Sequence, residues 1–302
     1  KILVTGGAGF IGANLLEELL PHHQLVVVDN LSTGKASNIL NEVRFYQTDI
    51  LSEGFAEIVA MEKPEFIIHL AAQINVAESF VRPLADLETN ILGTLKVLEA
   101  AKRNGIQKVI YPSSAAVYGC PQFLPISEDH PIAPMSFYGI SKHTPEHYLQ
   151  VYFQTYALRY TILRFANVYG PRQDSGGEGG VVSIFTDNLL KNKPLLIYGD
   201  GEQTRDFVFV KDVAGAICKS LTAGDNQIYN IGSGQKISIN DLFQQIKKLT
   251  ASKVRPQFLP ARSGDIRDSL FNISKAQLGL GWEPKTSIDT GLRLTMEWFL
   301  TH

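Results

Sequence analysis

Val4-Thr5-Gly6-Gly7-Ala8-Gly9-Phe10-Ile11-Gly12 is the stretch that decides how the rest of the chain reads. A short apolar run, Ile2–Thr5, enters it with the character of a strand, and Ile11–Leu20 leaves it with helical spacing. Gly7-x-Gly9-x-x-Gly12, with a second register through Gly6, puts glycine where a strand–turn–helix unit needs three things. These are a tight bend, close backbone approach to a ligand, and close packing of helix on strand. The helix start at Phe10 and Ile11 aims its free amides at an anion over the turn, as a dinucleotide pyrophosphate requires. Asp29 closes the next apolar run 17 residues after Gly12. A carboxylate there suits the adenine-ribose hydroxyls and repels a 2′-phosphate, which favours NAD over NADP. Ser32 and Lys35, in the loop that follows, are candidates for ribose or phosphate contact.

Outward from this unit, β-rich runs alternate with helical stretches. Strands are expected at Ile2–Thr5, Gln24–Asp29, Val43–Gln47, Phe66–His69, Lys108–Tyr111 and Tyr160–Arg164. Helices are expected at Ile11–Leu20, Phe55–Met61, Leu87–Arg103 and Tyr138–Tyr156. Such alternation predicts an α/β fold, a Rossmann-type doubly wound parallel sheet covered on both faces. After Arg164 the rhythm changes. Pro171 to Gly180 reads as a loop, followed by strands at Leu195–Tyr198, Arg205–Val210 and Gln227–Ile231. Helices are expected at Val181–Lys191, Asp212–Thr222, Asn240–Thr250 and Thr290–Leu300. We read residues 1–167 as the dinucleotide-binding domain and 168–302 as a smaller mixed α/β lobe that holds substrate, with segments crossing between the two.

The chain has 302 residues and a formal net charge of −2, so no basic face suited to nucleic acid is expected. Its two cysteines, Cys120 and Cys218, lie far apart and out of any metal-ligand spacing, which points to reduced thiols in the cytoplasm. No apolar run is long enough for a membrane span, and no secretory leader is read ahead of the first strand.

Tyr138-Gly-Ile-Ser-Lys142 carries the chemistry. Residues four apart on a helix share a face, so a phenol and an ammonium meet there. A phenol is too weak an acid to work unaided at neutral pH. Positive charge from Lys142 and from an oxidised nicotinamide would stabilise its anion. Ser113-Ser114, just past another strand, offers a hydroxyl to the same cleft.

With these residues in place, the chain resembles the extended short-chain dehydrogenases/reductases, and among them the nucleotide-sugar 4-epimerases of the UDP-glucose (UDP-galactose) type. The likeness runs through Thr5–Gly12, Asp29-Asn30, Asp49-Ile50, His69–Ala72, Asn90, Ser113–Gly119 and Tyr138-x-x-x-Lys142. It continues through Arg164–Arg172, Gly199–Gly201, Arg205-Asp206, Asp212-Val213, Asn230–Gly232 and Arg262-x-Gly264-Asp265. The resemblance implies that Gly6, Gly9, Phe10, Ile11, Gly12, Asp29, Asn30 and Asn90 hold NAD. Asp49 and Ile50 would flank the adenine, and Leu70, Ala71 and Ala72 would line the pyrophosphate and nicotinamide ribose. Ser114 would bridge the sugar O4 and Tyr138, the base, while Lys142 anchors the nicotinamide ribose and supports the phenolate. Asn167 and Val182 fall to the substrate, Arg205 and Arg262 to the UDP pyrophosphate, and Asp265 to the uridine ribose. Relatives are commonly homodimers formed through two helices, here Leu87–Arg103 and Tyr138–Tyr156.

Two positions narrow the reaction. Ala115 and Ala116 stand where dehydratases of the family carry Asp-Glu, so elimination chemistry has no second acid/base. Ser269 stands where a bulky Tyr can exclude a 2-acetamido group, which leaves room for UDP-GlcNAc and UDP-GalNAc beside UDP-Glc and UDP-Gal. Other readings are a UDP-glucuronate 4-epimerase, a nucleotide-sugar 4-ketoreductase, and a non-catalytic NAD sensor. His143-Thr-Pro-Glu-His147 matches a zinc-protease spacing. It is set aside, because Pro145 is expected to disturb the turn and no third ligand is evident, so no metal is expected.

Overall fold

The computed structural model describes residues 1–176, 180–261 and 265–302. Seven parallel strands form the main sheet: β1 (Ile2–Thr5), β2 (Leu25–Asp29), β3 (Arg44–Gln47), β4 (Phe66–His69), β5 (Lys108–Ser114), β6 (Arg159–Phe165) and β10 (Gln227–Ile231). Their order across the sheet is β10-β6-β5-β4-β1-β2-β3. β1 therefore lies between β4 and β2, with Thr5 opposite both Val28 and His69. The chain reverses its direction of travel at this strand, and the crevice beyond its carboxyl end is where such sheets bind ligands.

The strands are apolar throughout because both faces are covered. Their period of two splits them between two cores. Ile2, Val4, Val27 and Ile68 pack with Leu15, Leu16 and Leu19 of α1 (Phe10–Leu19) and with Val213 and Ile217 of α8 (Val210–Ser220). Leu3, Val26, Val28 and Ile67 pack on the other face with Phe55 and Ile58 of α2 (Glu53–Glu62), Val97 and Leu98 of α5 (Gly93–Arg103) and Leu149 of α6 (Phe137–Tyr156).

At Ala166 the chain leaves β6 and enters a second layer. Here β7 (Asn167–Tyr169) pairs with β9 (Thr204–Phe209), and β9 with β11 (Lys236–Ser238). A short parallel pair, β8 (Leu195–Tyr198) and β12 (Pro256–Leu259), joins α7 (Val181–Leu190), α9 (Ile239–Thr250) and α11 (Ile288–Thr301) around a core of Phe185, Leu242, Phe243 and Leu292. A division at residue 168 does not separate the layers. β10 returns to pair with β6, and α8, α10 (Ser274–Leu280) and Trp282 pack on the first sheet.

The expected helix Leu87–Arg103 is helical over its whole length but not regular, and shorter helical pieces lead into it. α3 (Val76–Val81) is followed by α4 (Pro83–Leu87), restarted by a proline at its first position, then by a π-helical turn, Glu88–Leu92, and finally by α5. Gly93 follows that turn because a Cβ there would come within 2.6 Å of Ile50. Pro145 does not disturb α6 as expected: the helix runs unbroken past it, and His143 and His147 meet ring to ring at 3.0 Å. Among the described residues no helix is long and apolar enough to cross a membrane.

Candidate active site

The glycine turn is shaped by contact on three sides. Gly6 has a φ of +70°, and a Cβ on it would lie 2.5 Å from the Ala71 nitrogen. A Cβ on Gly12 would strike the Gly6 carbonyl at 2.5 Å. At Gly9 the nearest non-neighbouring atom among the described residues to such a Cβ is that same oxygen, at 3.3 Å, so the surface above Gly9 is open. Gly9 is the N-cap of α1, which has neither a capping side chain nor an acidic residue in its first turn. The amides of Phe10, Ile11 and Gly12 are thus free to receive an anion over a cradle that a side chain at Gly9 would fill. These residues fit the pyrophosphate of a dinucleotide.

Asp29 braces this turn: it accepts the Ala8 amide at 2.9 Å through Oδ2 and the Leu31 amide at 2.8 Å through Oδ1. Asn30 donates to Asp49 at 2.8 Å, so the carboxyl ends of β2 and β3 are tied beside the expected adenine site. Asn30 also accepts the Ser32 amide, and the Lys35 amide donates to the Ala8 carbonyl. Ile50 is buried beneath them. Across the turn, Leu70–Ala72 leave β4, and the Ala71 amide donates to Thr5 Oγ1 at 3.3 Å. Thr5 and Thr94 hold His69 between them at 2.7 and 3.0 Å. Burial, with Lys142 nearby, pushes that imidazole down to about 3, so it is a neutral packing group.

Ser114 ends β5, and its hydroxyl caps the 3₁₀ turn Ala115–Val117 by accepting the Ala116 amide at 3.2 Å. α6 starts against that turn, with Ser136 capping the Gly139 amide at 3.0 Å. Gly139 allows this approach, since a Cβ would sit 2.7 Å from the Ala116 carbonyl. The result brings Ser114 beside the half-buried Tyr138 phenol. Burial raises the Tyr138 pKa, Ser114 lowers it, and the Asp86 carboxylate raises it further. The protein's own charges therefore leave this phenol protonated. The expected phenolate needs additional positive charge, which an oxidised nicotinamide provides when bound.

Lys142 is 4% exposed and stands 4.6 Å from the Tyr111 ring centroid. Burial brings its ammonium down to about 8, against the opposing pull of Glu146 and Asp86. Behind it lies a buried network absent from the sequence reading as a unit. Glu146 accepts Arg164 twice, at 3.0 and 2.6 Å, and Ser113 at 2.6 Å. Arg164 also donates to Tyr118 at 2.9 Å, and Tyr118 to Asn230 at 2.7 Å. Asn90, in the π turn, bonds Gln73 twice and reaches Ser141 at 2.9 Å. The Lys142-x-x-x-Glu146 and Asp86-x-x-x-Asn90 spacings were the available signals for this network.

On the facing layer, Arg205 of β9 is half-buried. Burial lowers its pKa, while Asp265 and Asp268 oppose that shift. Asn167 opens β7 and is exposed, two positions past the Ser114–Phe165 pairing that joins β5 to β6. Ser269 is buried, its amide on the Thr204 carbonyl at 3.2 Å. Val182, in the first turn of α7, packs its side chain in the core of the second layer. Arg262 lies outside the described residues.

Residues 2–232 match the model of the NAD dependent epimerase/dehydratase family. The chain belongs to this family. It is 42% identical over 299 residues to a putative UDP-glucose 4-epimerase of Methanocaldococcus jannaschii, covering 98% of this chain and 97% of that one. The crystal structure of the Thermotoga maritima UDP-glucose 4-epimerase with UDP-glucose superposes with a TM-score of 0.97 at 43% identity, over 99% and 98% of the two chains. A UDP-N-acetylglucosamine 4-epimerase of Methanobrevibacter ruminantium, in complex with UDP-N-acetylmuramic acid, gives 0.95 at 35% identity, over 100% and 98%.

Proposed function

We propose that the chain inverts C4 of a UDP-hexose, interconverting UDP-glucose and UDP-galactose and accepting their N-acetylated counterparts. The observation that supports this reading is Ser114 beside Tyr138 at the carboxyl edge of the sheet, with Lys142 buried one helical turn on in α6 and a glycine turn that fits a pyrophosphate. NAD, held by the glycine cradle, Asp29, Asn30, Asp49, Ile50, Leu70–Ala72 and Asn90, supplies a hydride acceptor that becomes the donor in the return step. Tyr138 takes the proton of the 4-hydroxyl as C4 gives up its hydride, and returns it to O4 when hydride comes back to the other face of the turned 4-keto sugar. Ser114 holds O4 toward the phenol. Lys142 keeps positive charge beneath it. Arg205 and Arg262 grip the UDP pyrophosphate, with Asp265 on the uridine ribose and Asn167 on the sugar or its phosphate, so the 4-keto sugar can turn without leaving. Ala115 and Ala116 provide no second acid, which favours simple oxidation and reduction over elimination. The small side chain of Ser269 favours acceptance of a bulkier 2-substituent.

A panel of Glc, Gal, GlcNAc, GalNAc and GlcA nucleotides, incubated with purified protein and followed by chromatography, tests this. Conversion within the Glc/Gal pair supports it. Conversion of UDP-GlcA alone, or net consumption of a reduced cofactor, contradicts it. We also infer a cytoplasmic homodimer. Leu92, Ile140 and Val151 expose apolar surface on the two stretches expected to pair, Leu87–Arg103 and Tyr138–Tyr156, and Phe80 and Leu84 do so on α3 and α4 just before them. Light scattering checks the mass.

A further inference from the structure

We propose that Asp86 is a positioning residue for the proton-transfer pair: its buried carboxylate, fixed by Gln73 and Asn90, is the counter-charge that sets the pH at which Tyr138 and Lys142 change protonation state. This rests on the reading of Tyr138 as the base at the sugar's 4-hydroxyl. Asp86 lies in α4 and is 1% exposed. Its Oδ1 accepts Gln73 Nε2 at 3.1 Å and Asn90 Nδ2 at 3.2 Å. Those two partners are locked to each other, the Gln73 amide on Asn90 Oδ1 at 2.8 Å and Asn90 Nδ2 on the Gln73 carbonyl at 2.9 Å. Asn90 Nδ2, with two hydrogens for three acceptors in reach, also lies 2.9 Å from the hydroxyl of Ser141, which bonds Asp86 and stands one residue before Lys142. The carboxylate is therefore held from α4 to α6 by neutral groups, and while burial raises its pKa, the Ser141 hydroxyl and the Lys142 charge oppose that shift.

Charge balance says what it does there. Lys142, Arg164, Glu146 and Asp86 are all buried, at 4, 3, 1 and 1% exposure. Two of these are cations and two are carboxylates. Arg164 is committed to Glu146 by two direct bonds. Among the described residues no cation comes within ion-pair distance of Asp86, and its field falls on Lys142, Tyr138 and Tyr111. The remaining groups facing the pair are few. Tyr111 lies against the ammonium from β5, and His69 of β4 is neutral. Ser114 faces the phenol and the π turn contributes the uncharged Asn90, while the nearby Glu78 of α3 pairs with Arg82 at the surface. Removing the Asp86 charge leaves the buried set net positive, so both Lys142 and Tyr138 release their protons more readily.

Asp86→Asn tests this cleanly, because the amide carbonyl can still accept from Gln73 and Asn90. Two readouts are compared with wild type in NAD-loaded protein: the acid limb of kcat/KM against pH, and the ultraviolet difference absorbance of tyrosinate. Both midpoints are expected to fall by at least about half a pH unit in D86N. Midpoints that coincide with those of wild type overturn the proposal, since a purely structural role moves stability and not titration. Asp86→Ser, also neutral, gives the same reading should the asparagine variant fail to fold. If wild-type protein converts no UDP-sugar, the epimerase reading fails, while the tyrosinate titration still decides the role of Asp86.

Discussion

Glu146→Gln removes one charge and little volume from the buried network behind Tyr138 and Lys142, and its effect can be worked out in advance. Burial alone would raise the Glu146 pKa. Bonds from His143 and Arg164, the Arg164 charge and the Ser113 hydroxyl overcome it and hold the carboxyl at about 2. Against its ordinary 4.5, that is about 3 kcal/mol of stabilisation at neutral pH. Direct experience with breaking buried pairs gives a loss of roughly 3–5 kcal/mol, because the surviving charge is stranded. The survivor here is Arg164, 3% exposed, left with Tyr118 and the Glu128 carbonyl. E146Q is therefore expected to lose about 3 kcal/mol at pH 7 in urea titrations, and about 5 °C in Tm. The sign with pH follows from a depressed carboxyl. The contribution is complete above 4.5 and disappears as pH falls toward about 2, so wild type and variant should converge in acid. Arg164→Gln should cost a similar amount, and the double variant much less than the two losses added. A loss in E146Q below about 1 kcal/mol at pH 7 would refute the reasoning.

Other substitutions address the site directly. Tyr138→Phe should keep NAD bound and abolish turnover, read by cofactor content after gel filtration and by product formation; appreciable residual rate would remove the phenol from proton transfer. Gly12→Ala should fail to retain NAD, because the new methyl meets the Gly6 carbonyl at 2.5 Å; calorimetry showing wild-type affinity would contradict the close packing. Asp29→Ala should weaken NAD and loosen the turn, since the Ala8 and Leu31 amides lose their acceptor, a change of roughly 1–3 kcal/mol in binding; unchanged affinity would take Asp29 away from the ribose.

Most of the first sheet was legible because its signals are local. β1, β4 and β10 begin and end where their apolar runs do, and the glycine turn could be read from spacing alone. The misses have tertiary causes. α4 begins at Pro83 and gives way to a π turn that brings the Asn90 side chain inward, a detail helical periodicity does not encode. α6 tolerates Pro145 inside a helix packed on β5 and β6. β7 and β11 are three residues each and exist because β9 lies next to them. Tyr138 and Lys142 were visible from their spacing. The ionisation state of the phenol was not, because it depends on burial and on Asp86, which is distant in sequence.

The central claim is that C4 is oxidised and reduced in one site without loss of its hydrogen. UDP-galactose carrying deuterium at C4, incubated with purified protein and no added nucleotide, tests this through mass spectrometry of the UDP-glucose formed. Retention of the label at C4 is the predicted result. Loss of the label to solvent, or no UDP-glucose from NAD-loaded protein, would contradict the account.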